Sequence, residues 1–302
     1  MLEYKKDTWK AVVSLAPTLI LMAIFTFWPI INAVRLSFLN GYTLVRGHAD
    51  YTIGVENYIK IFNDTLFWQS LKNTALMVLI SVPLTIIIGL LIAVALNSIK
   101  KLQGFFQTVF FLPYVTNTIA LGLVFSTLFN KEYGLINKLI GDNIFWINGA
   151  GEPSWGRAMV VLTLYTVWSG LAFKIIVFLS GLQSIDKQYY QAAQIDAASK
   201  WTTFRRITVP LLSPMILYIT ITSFIGAFKS YSSVISIFNN GNNMGPAADK
   251  NLLITAVGYI YQKLYASGMP LGEAAAGSIV LFAIIMLITL VQMYVSKKRV
   301  HY

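Results

Sequence analysis

Residues 189 to 210 read YYQAAQIDAASKWTTFRRITVP. The stretch sets Ala-Ala, an Asp and two Arg in order, closes on a proline, and is far more polar than the chain around it. Over 302 residues the chain is 56% hydrophobic and only 12% charged, with a mean hydropathy of +0.65. A soluble domain carries roughly 25% charged residues. Lipid is therefore the expected solvent for most of this chain, and the polar block must lie outside it.

Working outward, six stretches meet the requirement of about 20 mostly apolar residues per membrane helix. They are 11–31, 74–96, 108–129, 158–182, 212–238 and 272–295. Pro29, Pro83 and Pro113 fall inside them, which membrane helices tolerate when neighbours satisfy the freed carbonyls. The first run follows basic residues, as a signal peptide would. It is longer than an h-region and lacks a small-x-small cleavage site, so it is expected to stay as a helix. The fold class predicted is an all-α membrane protein with six transmembrane helices in one domain, 1–302. Six spans place both termini on one side. Lys5, Lys6, Lys10, Lys100, Lys101, Lys187, Lys200, Arg205, Arg206, Lys297, Lys298 and Arg299 crowd the helix ends on that side. Arg46, Lys60, Lys131, Lys138, Arg157, Lys250 and Lys263 are spread over longer loops on the other. The positive-inside rule then makes the termini cytoplasmic, and the polar block falls in the second internal loop.

Several function classes drop out. The net charge of +11 comes from scattered basic residues rather than a patch on a soluble core, so no nucleic-acid partner is expected. There is no cysteine, which excludes disulfides and thiolate metal sites. The two histidines, His48 and His301, sit in polar stretches, against a His-based metal site or triad. No G-x-x-x-x-G-K-[ST] sequence occurs, so the chain carries no P-loop. The outer segments hold Tyr42, Tyr51, Tyr58, Phe62, Phe67, Trp68, Trp146 and Trp155, which read as interfacial anchors or as a platform for an external partner. The loop 239–249, rich in Gly and Asn, reads as a turn or a contact with that partner. Gly268 and Gly272 share a G-x-x-x-G spacing, but Met269 and Pro270 place them at a helix start.

In the polar block, residues 187–200 have helical spacing, with Ala192, Ala193, Ala197 and Ala198 as helix formers. Asp196 and Lys200 stand at i, i+4, a pairing distance on a helix. A second helix, 202–209, would turn Phe204 and Ile207 to one side and Arg205 and Arg206 to the other, with Pro210 opening the next element. Two readings remain open on the residues alone: an amphipathic hairpin lying on lipid phosphates, and a docking hairpin for a cytoplasmic protein.

The order of residues resembles the EAA motif of binding-protein-dependent ABC transporter permeases, E-A-A-x-x-D-G-A, five residues, then F-x-x-I-x-L-P. Gln191, Ala192, Ala193, Asp196, Ala198, Phe204, Ile207 and Pro210 fall at that spacing. GVENY (54–58), LFWQSLKNT (66–74), FFLPY (110–114), YGLIN (133–137) and LSGLQSI (179–185) extend the likeness to the sugar-transport branch of those permeases. Gln191 stands where the motif has Glu, which removes a charge. Ala197 stands where it has Gly, a change that is cheap in a helix and disfavoured at positive φ. The resemblance implies a type I importer permease in the bacterial plasma membrane, with no chemistry on the solute. It implies a second permease, a cytoplasmic ABC ATPase dimer docked on 187–210, and an extracellular solute-binding protein as partners. It implies no cofactor on this chain, ATP and Mg belonging to the ATPase. Rigid coupling helices would transmit ATP-driven closure to the spans.

Polar groups in the spans mark the expected pathway. Lys174 either snorkels to the inner end of its helix or faces a cavity. Lys229, in Phe-Lys-Ser-Tyr at 228–231, is expected in a cavity. Tyr114, Asn117 and Thr118, then Trp168, Gly170 and Phe173, then Ser223, Lys229 and Ser230 supply the aromatic faces and hydrogen-bonding groups that sugar recognition uses. Three alternatives stay open. One is a permease for another solute, such as glycerol phosphate or an acidic sugar, which two lysines would suit. A second is an ion-driven secondary transporter, although Glu273, near a helix end, is the one carboxylate in the predicted spans. A membrane enzyme is weaker still, with no paired carboxylates or Ser-base arrangement in any span.

Overall fold

The computed structural model describes residues 7–43, 51–99, 101–148, 154–238, 244–246, 249–266 and 268–296. Both histidines, the outer Arg46, six of the basic residues used for orientation (Lys5, Lys6, Lys100, Lys297, Lys298, Arg299) and most of the 239–249 loop lie outside them.

Among the described residues, four helices are long and apolar enough to cross a membrane: α1 (Trp9–Ser37), α3 (Thr65–Ser98), α7 (Trp155–Ser184) and α13 (Leu271–Ser296). Two further spans are possible only as bent pairs. α4 (Gln103–Val115) and α5 (Thr118–Leu128) meet at 95°, and α9 (Lys200–Leu211) and α10 (Ser213–Phe228) at 65°. The straight helices outrun their predicted windows. α3 has 34 residues, about 51 Å at 1.5 Å per residue, so it projects well beyond a hydrocarbon layer of about 30 Å. Pro83 lies inside it, and Pro17 lies inside α1. In α1 a π-helical turn, Ala23–Phe27, immediately precedes Pro29. That is the local adjustment expected where a proline withdraws its N–H.

The third and fifth runs differ from the sequence reading. Run 108–129 is not one straight helix: α4 ends at Val115, Thr116 and Asn117 are extended, and the Asn117 side chain restarts the chain as α5. Run 212–238 stops at Phe228, and after Lys229–Tyr231 the short helix α11 (Ser232–Phe238) follows. The remaining described elements are β1 (Leu39–Asn40) paired antiparallel with β2 (Thr52–Ile53), α2 (Glu56–Asn63), α6 (Leu135–Ile140), α8 (Lys187–Ile195) and α12 (Ala256–Leu264).

The chain forms two compact units, 1–65 with 260–283, and 66–259 with 284–302. In the larger unit, Leu90 and Ala93 of α3, Phe178, Leu179 and Leu182 of α7, and Leu212 and Ile219 near α10 form a buried cluster. α11 packs so closely on α5 that a Cβ at Gly122 would collide with Ser236. Asn73 of α3 donates to the carbonyls of Leu252 and Ile254 at 3.2 and 3.0 Å and accepts from Trp155 Nε1 at 2.8 Å. Trp155, read as an interfacial anchor, is thereby also a structural donor.

In the smaller unit Asn57 Nδ2 donates to the carbonyls of Ser37 and Leu39, both at 3.0 Å, and Gly272 leaves the room that Asn57 needs. Gly272 therefore packs on its own chain. Lys263 is held between Asp64 at 3.1 Å and Glu273 at 3.2 Å, and Lys60 stands 3.7 Å from Glu273. Burial works against the Lys263 charge, and the two carboxylates more than reverse it, so its pKa lies above the ordinary lysine value. A raised lysine pKa stabilises fully below the ordinary value and is lost as pH climbs through the raised one. Lys263→Met is expected to lower stability by about 1–2 kcal/mol. Melting curves in detergent should show an unchanged deficit from pH 7 to 9 that closes only in strong alkali.

Candidate functional site

Two regions collect the functional candidates, and both lie in the larger unit. The first is the polar hairpin. Asp186 Oδ1 caps α8 by accepting from Gln188 N–H at 2.9 Å. The helix ends at Asp196, where Ala197 takes a φ of +50°. Ala198 N–H then donates to Ala193 C=O at 2.9 Å and Ala197 N–H to Gln194 C=O at 3.1 Å. This pair of bonds is a Schellman helix stop, which ordinarily carries glycine at the left-handed position. Ala197 therefore occupies a left-handed site, the costly alternative of the two that the sequence left open, and the expected continuous helix over 187–200 is cut short. Asp196 and Lys200 consequently form no ion pair, because no helical turn joins them.

Ser199 Oγ next caps α9, accepting from Thr202 N–H at 3.1 Å. α9 contains a π-helical turn at Phe204–Thr208, closed by Val209 N–H to Phe204 C=O. The wider turn lets the helix run on through Pro210, which lacks an N–H. Pro210 stands at the start of the short α-helical segment Val209–Leu211 that follows this turn and closes α9. Tyr190 OH meets Thr208 Oγ1 at 3.2 Å, Ala193 is buried, and Phe204 and Val209 pack on the α3–α7–α10 cluster. Ile207 is half-buried. Gln191, Ala192, Asp196, Arg205 and Arg206 are exposed, as is Ile195 at 86% and Trp201 at 66%. The hairpin has an anchoring face (Tyr190, Ala193, Phe204, Thr208) and an open face. Of the predicted coupling residues, Ala193 and Phe204 belong to the anchor. Trp201 escaped the sequence reading, although a tryptophan in an otherwise polar loop was the available signal.

The second region is a cavity of about 660 Å³, large enough for a di- or trisaccharide-sized ligand. Of the residues proposed for the pathway, Tyr114, Thr118, Gly170, Phe173, Ser223, Lys229 and Ser230 line it. Asn117 does not: its Oδ1 caps α5, accepting from Ile119 N–H at 2.8 Å. Nor does Trp168, whose ring packs 5.7 Å from Phe125. The sequence reading missed Ser81 and Thr85 of α3 and Tyr165, Thr166 and Ser169 of α7. Ser81 and Thr85, four residues apart on one helix face, were the legible hint. Tyr114 and Phe173 stack at 6.0 Å, giving the cavity an aromatic stretch of wall. Lys174 also lines the cavity: its Nζ turns back to the Gly170 carbonyl at 3.2 Å instead of reaching for the inner end of α7. Both helix breaks, at 116–117 and 229–231, border this space. Tyr165 OH donates to Thr118 C=O at 3.1 Å, tying α7 to the start of α5, and Thr255 Oγ1 donates to Ser230 C=O at 2.8 Å, satisfying a carbonyl that the second break releases.

Broken apolar helices around a polar cavity, above a hairpin with an open face, define a multi-pass membrane transport component. The chain belongs to the family described as binding-protein-dependent transport system inner membrane component, whose pattern matches residues 85–301. It is 32% identical over 291 residues to the lactose transport system permease protein LacF of Rhizobium radiobacter, covering 94% of this chain and 93% of that one. It is also 32% identical over 292 residues to the arabinooligosaccharides transport system permease protein AraP of Bacillus subtilis, covering 93% and 86%. A chain in the crystal structure of a bacterial alginate ABC transporter, in complex with an alginate pentasaccharide-bound periplasmic protein, superposes with a TM-score of 0.78 over 97% of this chain and 96% of that one. The two chains share 21% identity, so the likeness is one of fold.

The left-handed alanine yields a direct test. Ala197→Gly is expected to stabilise the hairpin by about 1 kcal/mol, since glycine adopts positive φ without a Cβ clash. Proteolytic nicking within 187–211 should slow in this variant. An Ala197→Val change should accelerate it.

Proposed function

We propose that this chain is the permease subunit of a bacterial ATP-driven carbohydrate importer, forming half of the translocation pathway. The observation that carries the reading is mechanical. Phe204 and Val209 of the hairpin pack on a cluster built from α3, α7 and α10, and the same three helices contribute most of the cavity wall. A push on the open face of the hairpin is thereby a push on the cavity. The sugar permeases among its relatives favour a carbohydrate, and so does a cavity that pairs an aromatic wall with many hydroxyls.

In this reading six spans, counting each bent pair once, cross the plasma membrane with both termini cytoplasmic. A separate ABC ATPase dimer docks on the open face, where Ile195 and Trp201 supply the apolar contact and Ala192 a close approach. Gln191, in place of an acidic residue, keeps hydrogen bonding without an ion pair. A second permease completes the pathway, an extracellular solute-binding protein delivers the sugar, and lipid surrounds the apolar faces. ATP and Mg stay on the ATPase. The solute enters unchanged, so the subunit is a transporter component rather than an enzyme.

Purification of the tagged chain in mild detergent from its own membranes tests this. A second permease and a P-loop ATPase are expected to co-purify. Ile195→Asp should strip off the ATPase by tenfold or more while the second permease stays, because its side chain is exposed and packs on nothing in the hairpin, whereas the Trp201 ring stacks on Phe204 at 5.6 Å. A wild-type chain that emerges without any ATPase would overturn the reading in favour of a lipid-surface hairpin and an ion-driven transporter.

A further inference from the structure

The cavity carries two lysines and no carboxylate among its lining residues. The imbalance is a property of the whole wall rather than of local packing. Every lining residue comes from the segments 65–131, 153–185 and 197–248, and those segments contain no Asp or Glu at all. The chain therefore has no acid of its own within these walls to neutralise Lys174 or Lys229. An ionised side chain at membrane depth is costly, and its usual remedy is a partner or a ligand of opposite charge.

Lys174 is also held in a built position. A methyl group at Gly89 of α3 would stand 3.2 Å from Lys174 Cβ, and one at Gly170 would stand 3.3 Å from Lys174 Nζ. Two glycines on two helices thus make a slot, one for the root of the side chain and one for its tip. Within the slot the ammonium spends a single hydrogen bond on the Gly170 carbonyl, and an ammonium has three to give. Lys229 reaches the same space from the break after α10 and is exposed there. A neutral sugar would leave both charges uncompensated as it displaced their water. A solute bearing an oxyanion would take up the remaining donors as charge-assisted hydrogen bonds.

We propose that the cavity is selective for an anionic sugar, a saccharide bearing a carboxylate, sulfonate or phosphate group, with Lys174 and Lys229 as the groups that read its charge. This inference rests on the carbohydrate reading above and narrows it. The aromatic wall of Tyr114 and Phe173 takes the apolar side of the ring, the Ser223 hydroxyl faces the sugar hydroxyls, and the two ammonium groups take the acid.

The test uses the complex that co-purifies with the tagged chain, reconstituted in proteoliposomes with its solute-binding protein outside. It is offered a mixture of neutral di- and trisaccharides and their uronic, sulfonated and phosphorylated counterparts, and ATP-dependent accumulation is read by mass spectrometry. The acidic members should accumulate in preference to neutral ones of equal length, and the modified group found inside identifies the acid. Lys174→Gln and Lys229→Gln should each cut that preference by about tenfold or more, while Lys174→Arg and Lys229→Arg retain most of it. Accumulation of neutral sugars alone, or an acidic preference untouched by both Gln variants, would overturn the proposal and leave the carbohydrate reading intact. Loss of the second permease from the Lys→Gln complexes would also overturn it, by showing that the lysines serve a carboxylate across the subunit interface. ATP hydrolysis with uptake of no sugar of either kind would sink the carbohydrate reading itself.

Discussion

A helix that breaks inside a membrane releases backbone carbonyls and N–H groups that hydrocarbon cannot satisfy, each at a cost of several kcal/mol. Much of the larger unit can be read as the answer to that constraint at two places. After α4, Asn117 turns its side chain onto the N–H groups of Ile119 and Ala120, the orphan donors at the start of α5. After α10, Thr255 covers the Ser230 carbonyl, and Ser230 shares a 2.6 Å hydrogen bond with Ser233. These polar groups are present because the backbone needs them, and they also give the cavity its chemistry. A membrane protein tolerates irregular backbone where it lines a polar space, so break and cavity come as one structural feature.

The same helices carry force. Phe204 is half-buried against a cluster contributed by α3, α7 and α10, the helices that also supply much of the cavity lining. Interiors packed this tightly transmit displacement rather than absorb it. A hairpin tied down by aromatic packing, a tyrosine–threonine hydrogen bond and two helix caps moves with its helices. The outward residues are then relieved of structural duty.

Hydropathy made the long helices legible, but it undercounted their polar ends. α3 begins at Thr65, nine residues before the apolar window, because Phe67, Ser70, Asn73 and Thr74 form one buried face at helical spacing. That signal lies in periodicity and not in hydrophobicity. The breaks were harder to see. Pro113 precedes one by only a few residues, while the other, at Lys229–Tyr231, contains neither glycine nor proline and is marked only by a short polar run, Lys-Ser-Tyr-Ser-Ser at 229–233, inside an otherwise apolar stretch. The order of residues in the hairpin was legible, yet its division into anchor and open face was not, since both faces contain alanine and aromatics. Most of the predicted cavity residues line the cavity. Asn117 and Trp168 do not, because capping and ring packing claimed them first. The orientation of Lys174 depends on Gly89 in a different helix, which no local reading reaches.

The helix stop at Ala197 has a consequence for how such a subunit can diversify. The turn is made by backbone bonds, Ala198 to Ala193 and Ala197 to Gln194, and no outward side chain helps to hold it. Gln191, Ala192 and Ile195 can therefore be exchanged without moving the platform that presents them. Changes at these positions alter the chemistry that the open face presents and leave the backbone turn and the helices behind it as they are.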